Sequence, residues 1–317
     1  MKNRFLSILL TLMLLFSLTA SAEVIPMSAM SPDELYAKGQ EYYAHDRSVT
    51  FTLWKEAAQA GHADAMFGVG TMYLTGEGGE QDMDEAIRWL EKAAKAGHGD
   101  AQANLGAVAW QQGDAEEARR LWMQGAKDGN GSCMYSLGSA AYQENDLETA
   151  AEWWTKSAEA GSPSGADMMW QMYWHGLGVE QSDAKAVEWL EKGVELGSAN
   201  CAYQLGLWYE NGNVVKQSNQ KTFEMYKLAA EWGHAEAMCN LSWCYSNGIG
   251  TQPSKDLALE WLENAAYAGD AMAMCSLAGI LLQLDNAEAH EDAVNWLKRS
   301  ADLGYEPAWE QLNKLGY

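Results

Sequence analysis

The chain has few basic residues for its size. Its 317 residues include 21 Lys and Arg against 44 Asp and Glu, which gives a formal net charge of −23. A field of this sign repels nucleic acid and anionic membrane surfaces and attracts cationic molecules. We therefore expect a protein partner that is basic or carries a basic patch, and no nucleic-acid ligand. Solubility alone is the alternative explanation of the charge.

Cysteine is also scarce, and the residues are spaced in a way that disfavours both disulfides and metal sites. The five cysteines are an odd number, and no pair has the C-x-x-C spacing of a metal site. Several of them occupy equivalent positions of the repeat described below, and such positions in stacked helices lie about 8–10 Å apart. A disulfide prefers a Cα separation of about 5.5 Å. We predict small buried residues, no metal and no cofactor; the five are Cys133, Cys201, Cys239, Cys244 and Cys275.

Long hydrophobic runs are missing except at the start of the chain. Residues 5–18 are almost all apolar, Lys2 and Arg4 precede them, and Ala20-Ser21-Ala22 follows. The run falls short of the about 20 residues of a membrane span. It predicts a signal peptide over 1–22, a linker over 23–32, and a mature chain that is periplasmic or secreted without a membrane span. Cleavage would take the formal charge from −23 to −25.

A unit of 32–36 residues is repeated eight times. An Ala or Val precedes each closing glycine by three residues, and an aromatic residue precedes it by seven or eight. A period of this length predicts an all-α, right-handed α-solenoid of about eight antiparallel helix pairs with a C-terminal capping helix, one domain over residues 33–317. The closing glycines are Gly61, Gly97, Gly129, Gly161, Gly197, Gly233, Gly269 and Gly304.

Each unit reads as a helical hairpin. In the unit that ends at Gly97, a Gly-rich turn at 76–79 ends the first helix, and Asp82 with Glu85 resembles a capping box for the second. The glycines of this turn are more typical of a turn than of a phosphate-binding loop, because no strand precedes them. Tryptophans of the second helices are predicted to form the repeat core: Trp54, Trp89, Trp122, Trp153, Trp189, Trp261 and Trp296.

The units resemble a known family. Their shared pattern is Ala-x-x-x-Leu-Gly-x-x-Tyr-x-x-Gly-x-Gly, then Asp-x-x-x-Ala-x-x-Trp-x-x-x-Ala-Ala-x-x-Gly-His, best kept in 201–233 and 237–269. This resembles the Sel1-like repeat of the tetratricopeptide superfamily, in a secreted bacterial member. The resemblance implies a protein–protein interaction scaffold; family members include sensor-kinase regulators, host-interaction factors and periplasmic immunity proteins against lipase toxins. Trp170 departs from the pattern, which has Gly there.

Catalysis is the least favoured hypothesis. Some cysteine-rich relatives are described as penicillin-binding or β-lactamase-like, and S-x-x-K occurs at Ser182–Lys185 and Ser218–Lys221. Both serines stand in the register where other units have a helix-capping Asp, and no K-T-G or S-D-N follows. We therefore predict no catalytic residue.

First helices of such solenoids line the concave surface, where partners are held. Several aromatic residues stand tenth in their units and several polar ones fourth, a composition that suits a protein interface. Packing between units is the alternative for Trp110, Tyr142 and Trp174, of which Trp174 is the preferred binding residue. The predicted partner-binding residues are Tyr43, Asn104, Trp110, Tyr142, Gln171, Trp174, His175, Gln204, Asn240 and Trp243.

These features together favour a scaffold that grips one basic protein and is monomeric when free. A specific version is an immunity protein that neutralises a secreted toxin such as a lipase effector. The alternatives are an adaptor in envelope signalling, assembly or host interaction, and an envelope hydrolase.

Overall fold

A computed structural model describes residues 29–284 and 286–317. The predicted signal peptide, 1–22, and the linker residues 23–28 lie outside the described residues. The described chain divides into two compact units, 29–108 and 109–317, which are treated separately below. No helix within these described ranges is long and apolar enough to cross a bilayer.

The first compact unit contains two complete helix pairs and most of a further helix. Consecutive helices of each pair pack together along their lengths. The helices are α1 (Pro32–Tyr42), α2 (Arg47–Gln59), α3 (Ala63–Thr75), α4 (Met83–Lys95) and α5 (Gly99–Gln111), whose last turn belongs to the second unit.

The second unit continues the same alternation and ends with an unpaired helix. The described residues contain seventeen helices and no strand, which confirms the prediction of eight pairs and a capping helix. The helices are α6 (Ala115–Lys127), α7 (Gly131–Gln143), α8 (Leu147–Glu159), α9 (Pro163–His175), α10 (Asp183–Glu195), α11 (Ala199–Asn211), α12 (Asn219–Glu231), α13 (Ala235–Asn247), α14 (Lys255–Tyr267), α15 (Ala271–Leu281), α16 (Ala287–Asp302) and α17 (Glu306–Leu315).

Second helices begin where the sequence places a capping side chain. Asp82 Oδ1 accepts a hydrogen bond from the backbone N–H of Glu85 at 3.0 Å, and Ser182 Oγ accepts one from Lys185 at 3.3 Å. Such bonds satisfy an N–H group that the first helical turn leaves without a partner. The expected return bond to Glu85 is not formed, because the Asp82 N–H donates to the Tyr73 carbonyl at 3.0 Å, while the Glu85 carboxylate pairs with Arg88 at 2.6 Å. The cap is therefore a simple one rather than a capping box.

Second helices end at the closing glycines because the backbone there is left-handed. Gly61 has φ 101°, and the next residue, His62, donates its N–H to the Ala57 carbonyl at 3.1 Å. This is the helix-ending geometry that glycine adopts at least cost. All eight closing glycines have a positive φ.

Two of the histidines that follow a closing glycine cap the first helices, a role that their spacing did not reveal. His62 Nδ1 accepts from the N–H of Ala65 at 3.2 Å, and His234 Nδ1 accepts from Ala237 at 3.3 Å. The His234 ring also stacks on Tyr203 at 4.3 Å between centroids. Burial lowers the pKa of His234, which favours the neutral imidazole that this cap requires.

The core uses two adjacent positions of each second helix, and they have different partners. The residue seven before the closing glycine packs within its own pair, and in several repeats it lies against a glycine of the first helix. A Cβ at Gly138, for example, would lie 2.6 Å from the Trp154 ring. All eight side chains at this position are at most 8% exposed: Trp54, Leu90, Trp122, Trp154, Leu190, Tyr226, Leu262 and Leu297.

The residue eight before the closing glycine packs on residues that include those of the preceding second helix. Trp189 contacts the cluster around Trp154, and Trp261 contacts the cluster around Tyr226. Trp89 is buried, whereas Trp189, Trp261 and Trp296 are half-buried.

The place that faces the first helix of the pair belongs to Trp154, a neighbour of Trp153 that the sequence analysis did not name. Trp154 is 3% exposed and holds that place, whereas Trp153 is half-buried with Lys156 Nζ 4.5 Å from its ring centroid. Adjacent helical residues point about 100° apart, since a helix has 3.6 residues per turn. Only one of the two tryptophans can therefore face the first helix of the pair.

Glycines in the longer turns touch the preceding repeat. A Cβ at Gly178 would lie 2.2 Å from the Leu147 carbonyl oxygen, and one at Gly250 would lie 2.1 Å from the Asn219 carbonyl oxygen. Both glycines have positive φ, 64° and 67°. The turn interpretation of these glycines is confirmed, and their role is a close backbone approach to the start of the preceding second helix.

The cysteines are buried, as predicted for small core residues. Burial raises the pKa of Cys239 and of Cys244 to about 12, with nearby carboxylates adding to the effect. These thiols therefore remain protonated at neutral pH.

Candidate partner-binding surface

One face of the second unit is formed by first-helix side chains that lie outside the buried clusters or at their edge. Consecutive first helices α7, α9 and α11 contact one another. Tyr142 is 44% exposed, Trp243 is 46% exposed and His175 is exposed, whereas the others are half-buried. We call this set the first-helix surface: Trp110, Tyr142, Gln171, Trp174, His175, Gln204, Asn240 and Trp243.

Two predicted binding residues belong to the first unit. Tyr43 is 39% exposed, and its ring stacks on Trp54 at 5.3 Å. Asn104 is half-buried and donates its side-chain N–H to Thr71 Oγ1 at 3.5 Å. Tyr43 therefore keeps only part of its surface exposed, because Trp54 and the Arg47 guanidinium lie against its ring, and the Asn104 amide is partly engaged by its own fold.

Packing accounts for Trp174, the residue preferred for binding from the sequence. Its ring lies 5.0 Å from the Trp208 ring and belongs to the edge of that buried cluster. Trp208 also meets Trp170 edge-on at 5.9 Å, so it contacts two tryptophans that are one helical turn apart on α9. Trp170, where the family pattern has Gly, thus creates a larger aromatic contact between neighbouring first helices.

Trp110 is likewise engaged inside its own repeat. Its ring lies 5.7 Å from Trp122, and the Arg119 guanidinium lies 5.5 Å from the Trp110 ring centroid. Of Trp110, Tyr142 and Trp174, Tyr142 is therefore the most exposed.

Tyr142, Gln171 and His175 meet around one cavity between α7 and α9. Its volume is about 430 Å³, within the usual range of ligand pockets. The lining residues are Ser139, Tyr142, Gln143, Trp154, Met168, Gln171, Met172, His175 and Leu177. We call it the α7–α9 cavity.

The α7–α9 cavity combines a buried apolar base with a polar rim. Trp154 and Met172 are at most 3% exposed, and the Trp154 indole N–H is already satisfied by the Tyr135 carbonyl at 3.2 Å. The Tyr142 ring lies 5.5 Å from Trp154. Amide, hydroxyl and imidazole groups form the rim, and no Lys, Arg, Asp or Glu lines it.

Sequence reasoning missed the base of this cavity. Trp154 was passed over in favour of Trp153, and the methionines gave no signal because Met at helical spacing is typical of a core. The sequence does not show which α8 side chain lies beneath Tyr142, because that depends on how α8 is rotated about its own axis.

The serines of the two S-x-x-K sequences are helix caps in the structure. Ser218 Oγ accepts the N–H of Lys221 at 3.3 Å, as Ser182 does for Lys185. The side chains of the two lysines contact tyrosines of the first helices and not the serines. Lys221 Nζ donates to the Tyr209 hydroxyl at 3.0 Å, and Lys185 Nζ lies 5.0 Å from the Tyr173 ring centroid.

A carboxylate joins two neighbouring first helices near the surface. Asp167 on α9 accepts hydrogen bonds from Ser198, from Asn200 at 3.3 Å and from the Cys201 thiol at 3.0 Å. Burial raises the pKa of Cys201, and the Asp167 charge raises it further. The cluster is satisfied internally and fixes α11 against α9.

The repeats match a family model along most of the chain. The Sel1 repeat model matches residues 27–62, 63–98, 131–162, 166–198, 199–234, 235–270 and 271–305. This chain belongs to the Sel1 repeat family. The segment between the second and third matches, 99–130, holds α5 and α6 of the same alternation.

Solved structures of Sel1 repeat proteins superpose on the chain. A Sel1 repeat protein from Oxalobacter formigenes is 24% identical with a TM-score of 0.61, covering 91% of this chain and 88% of its own. A protective antigen present in uropathogenic Escherichia coli strains, with an SLR fold, is 27% identical with a TM-score of 0.53. That match covers 87% of this chain and 62% of the antigen, so the chain spans less than two thirds of the antigen's length.

A third solved structure is an immunity protein from Pseudomonas aeruginosa, 17% identical with a TM-score of 0.45, covering 75% of this chain and 81% of its own. No curated protein matches the chain.

Proposed function

We propose that this Sel1 repeat protein is a non-enzymatic scaffold of the periplasm or the cell exterior that binds one basic protein on its first-helix surface. The observation that carries the proposal is that Tyr142 and Trp243 on the first helices are 44% and 46% exposed. Large aromatic side chains exposed on a surface are typical of protein interfaces.

The charge of the chain supports a basic partner. The formal net charge of −23 steers a cationic protein toward the surface and raises its association rate. Together with the predicted signal peptide, this favours an immunity protein that neutralises a secreted toxin, present as a monomer until the toxin binds.

The catalytic alternative loses its main support from the geometry of the caps. Both candidate serine hydroxyls accept backbone hydrogen bonds at helix starts, and both lysine ammonium groups contact tyrosines. A nucleophilic serine instead needs a base within hydrogen-bond reach. The scaffold proposal requires no such pair.

Affinity capture from a periplasmic extract tests the proposal. The bait is the mature chain, compared with the double variant Tyr142→Ala, Trp243→Ala and with Tyr267→Ala as the matched control, since Tyr267 is 73% exposed on a second helix. We expect one protein to be recovered by the wild type and the control and lost with the double variant. Recovery should also fall steeply between low and high salt.

Equal recovery by the double variant would show that the first-helix surface does not bind the partner. Failure of the wild-type bait to retain any protein from extracts of its own organism would refute the scaffold proposal itself.

A further inference from the structure

We infer that the α7–α9 cavity binds an arginine side chain of the partner protein, with its guanidinium against the ring of Tyr142. This inference rests on the proposed function and names the chemistry by which the partner is held. Two other repeats place an arginine against the aromatic residue at the same register position.

Tyr142 is the tenth residue of its unit, and the equivalent residues Tyr43 and Trp110 each carry an arginine. The Arg47 guanidinium lies 3.4 Å from the Tyr43 ring centroid, and the Arg119 guanidinium lies 5.5 Å from that of Trp110. Guanidinium groups favour the faces of aromatic rings, through cation–π attraction and stacking. Among the described residues, no Lys or Arg is placed over the Tyr142 ring.

The α7–α9 cavity extends from this ring in a shape that suits arginine. Met168, Met172 and Leu177 offer apolar surface to its methylene groups, and Gln143 and Gln171 stand on the rim. Arginine has five N–H donors, so it can use amide and hydroxyl oxygens that an apolar side chain would leave without a partner.

The electrostatics of the cavity favour a cation. Tyr142 and Gln143 lie in the last turn of α7 and Met172 and His175 in the last turn of α9, and helix C-termini carry partial negative charge. No Lys or Arg lines the cavity, and the chain as a whole is strongly acidic. Lysine would share the charge but is more strongly hydrated and lacks the planar group that stacks on an aromatic face.

Nuclear magnetic resonance of the full, ¹⁵N-labelled chain tests the inference with small probes. The probes are acetyl-Gly-Arg-Gly-amide, its citrulline analogue, which has nearly the same shape without the charge, and its norleucine analogue. We expect saturable shifts of the Trp154 indole and the Gln143 and Gln171 amide signals with the arginine probe. Citrulline and norleucine should bind at least about five-fold more weakly, the size of one cation–π contact.

Variants of Tyr142 separate the ring from the hydroxyl. Tyr142→Ala should weaken the arginine probe by roughly five-fold, whereas Tyr142→Phe should keep its affinity within about two-fold. Tyr267→Ala is the matched exposed control, and circular dichroism verifies that each variant is folded. Equal binding of norleucine and arginine, or no saturable shift at these signals, would overturn the inference. Either result leaves protein capture by the first-helix surface intact, which the affinity experiment measures independently.

Discussion

Replacing Trp154 by alanine should destabilise the second unit far more than replacing its neighbour Trp153. Trp154 is 3% exposed, its indole N–H donates to the Tyr135 carbonyl, and its ring lies against Gly138. Loss of a buried tryptophan costs about 3–5 kcal/mol, and the carbonyl left without its donor places the value at the upper end. Trp153 is half-buried, so Trp153→Ala should cost about 1–2 kcal/mol.

Urea unfolding followed by circular dichroism measures the difference. At an ordinary denaturant slope, Trp154→Ala should lower the unfolding midpoint by roughly 1–2 M. Repeat arrays can unfold in parts, so amide hydrogen exchange should accompany it. We expect exchange to accelerate first in α7 and α8.

Trp154→Phe provides the matched variant, because it keeps a buried six-membered aromatic ring while it removes the indole N–H together with the rest of the five-membered ring. It should cost about 1–2 kcal/mol. An effect of Trp153→Ala as large as that of Trp154→Ala would refute the assignment of the two positions to different partners.

Four further outcomes are expected. Gly178→Ala should lower the melting temperature more than Gly161→Ala, because a Cβ at Gly178 would overlap the α8 backbone whereas one at Gly161 meets open space. The free energy of unfolding should fall as the pH drops below about 6.5, because burial lowers the pKa of His234 and the unfolded chain therefore takes up the proton first. In urea titrations at several pH values, His234→Ser should make the free energy of unfolding depend less on pH. The free energy of unfolding should also fall as the pH rises above about 9, because the raised pKa of Cys239 and Cys244 keeps both thiols protonated only in the folded state. Replacing both cysteines by alanine should remove the part of this decrease that the two thiols cause. Ser182→Ala should cost about 1 kcal/mol in thermal melts and Ser182→Asp almost nothing, whereas a need for the hydroxyl itself would contradict a simple cap.

The fold was predictable because its signals are local. A closing glycine, a capping Asp or Ser and an apolar stripe each act within one or two turns of helix, so Gly61, Asp82 and Ser182 could be assigned from sequence alone. The choice between Trp153 and Trp154 depends on how a second helix crosses the first. Gly138 on the facing helix was the available clue, since only a glycine leaves room for an indole there.

The candidate site was less accessible to sequence reasoning. Tyr142, Gln171 and His175 were each proposed for binding, but their convergence depends on the relative phase of α7 and α9. Trp174 was assigned to binding because Tyr173 seemed sufficient for packing. Trp174 also packs against the large ring of Trp208 in the next repeat, and such a contact between repeats cannot be inferred from one repeat by itself.

The turn glycines that press on the preceding repeat have a consequence for how such a chain can grow. Gly178 meets only backbone atoms, and Gly250 meets backbone atoms and the Phe223 Cβ, so a repeat with this turn makes a contact that depends little on which side chains the preceding helix carries. Duplication or loss of a whole repeat therefore leaves the remaining junctions sound, while side chains on the first helices are free to diversify. An array built in this way can change its number of repeats and its ligand while the contacts that hold neighbouring repeats together stay the same.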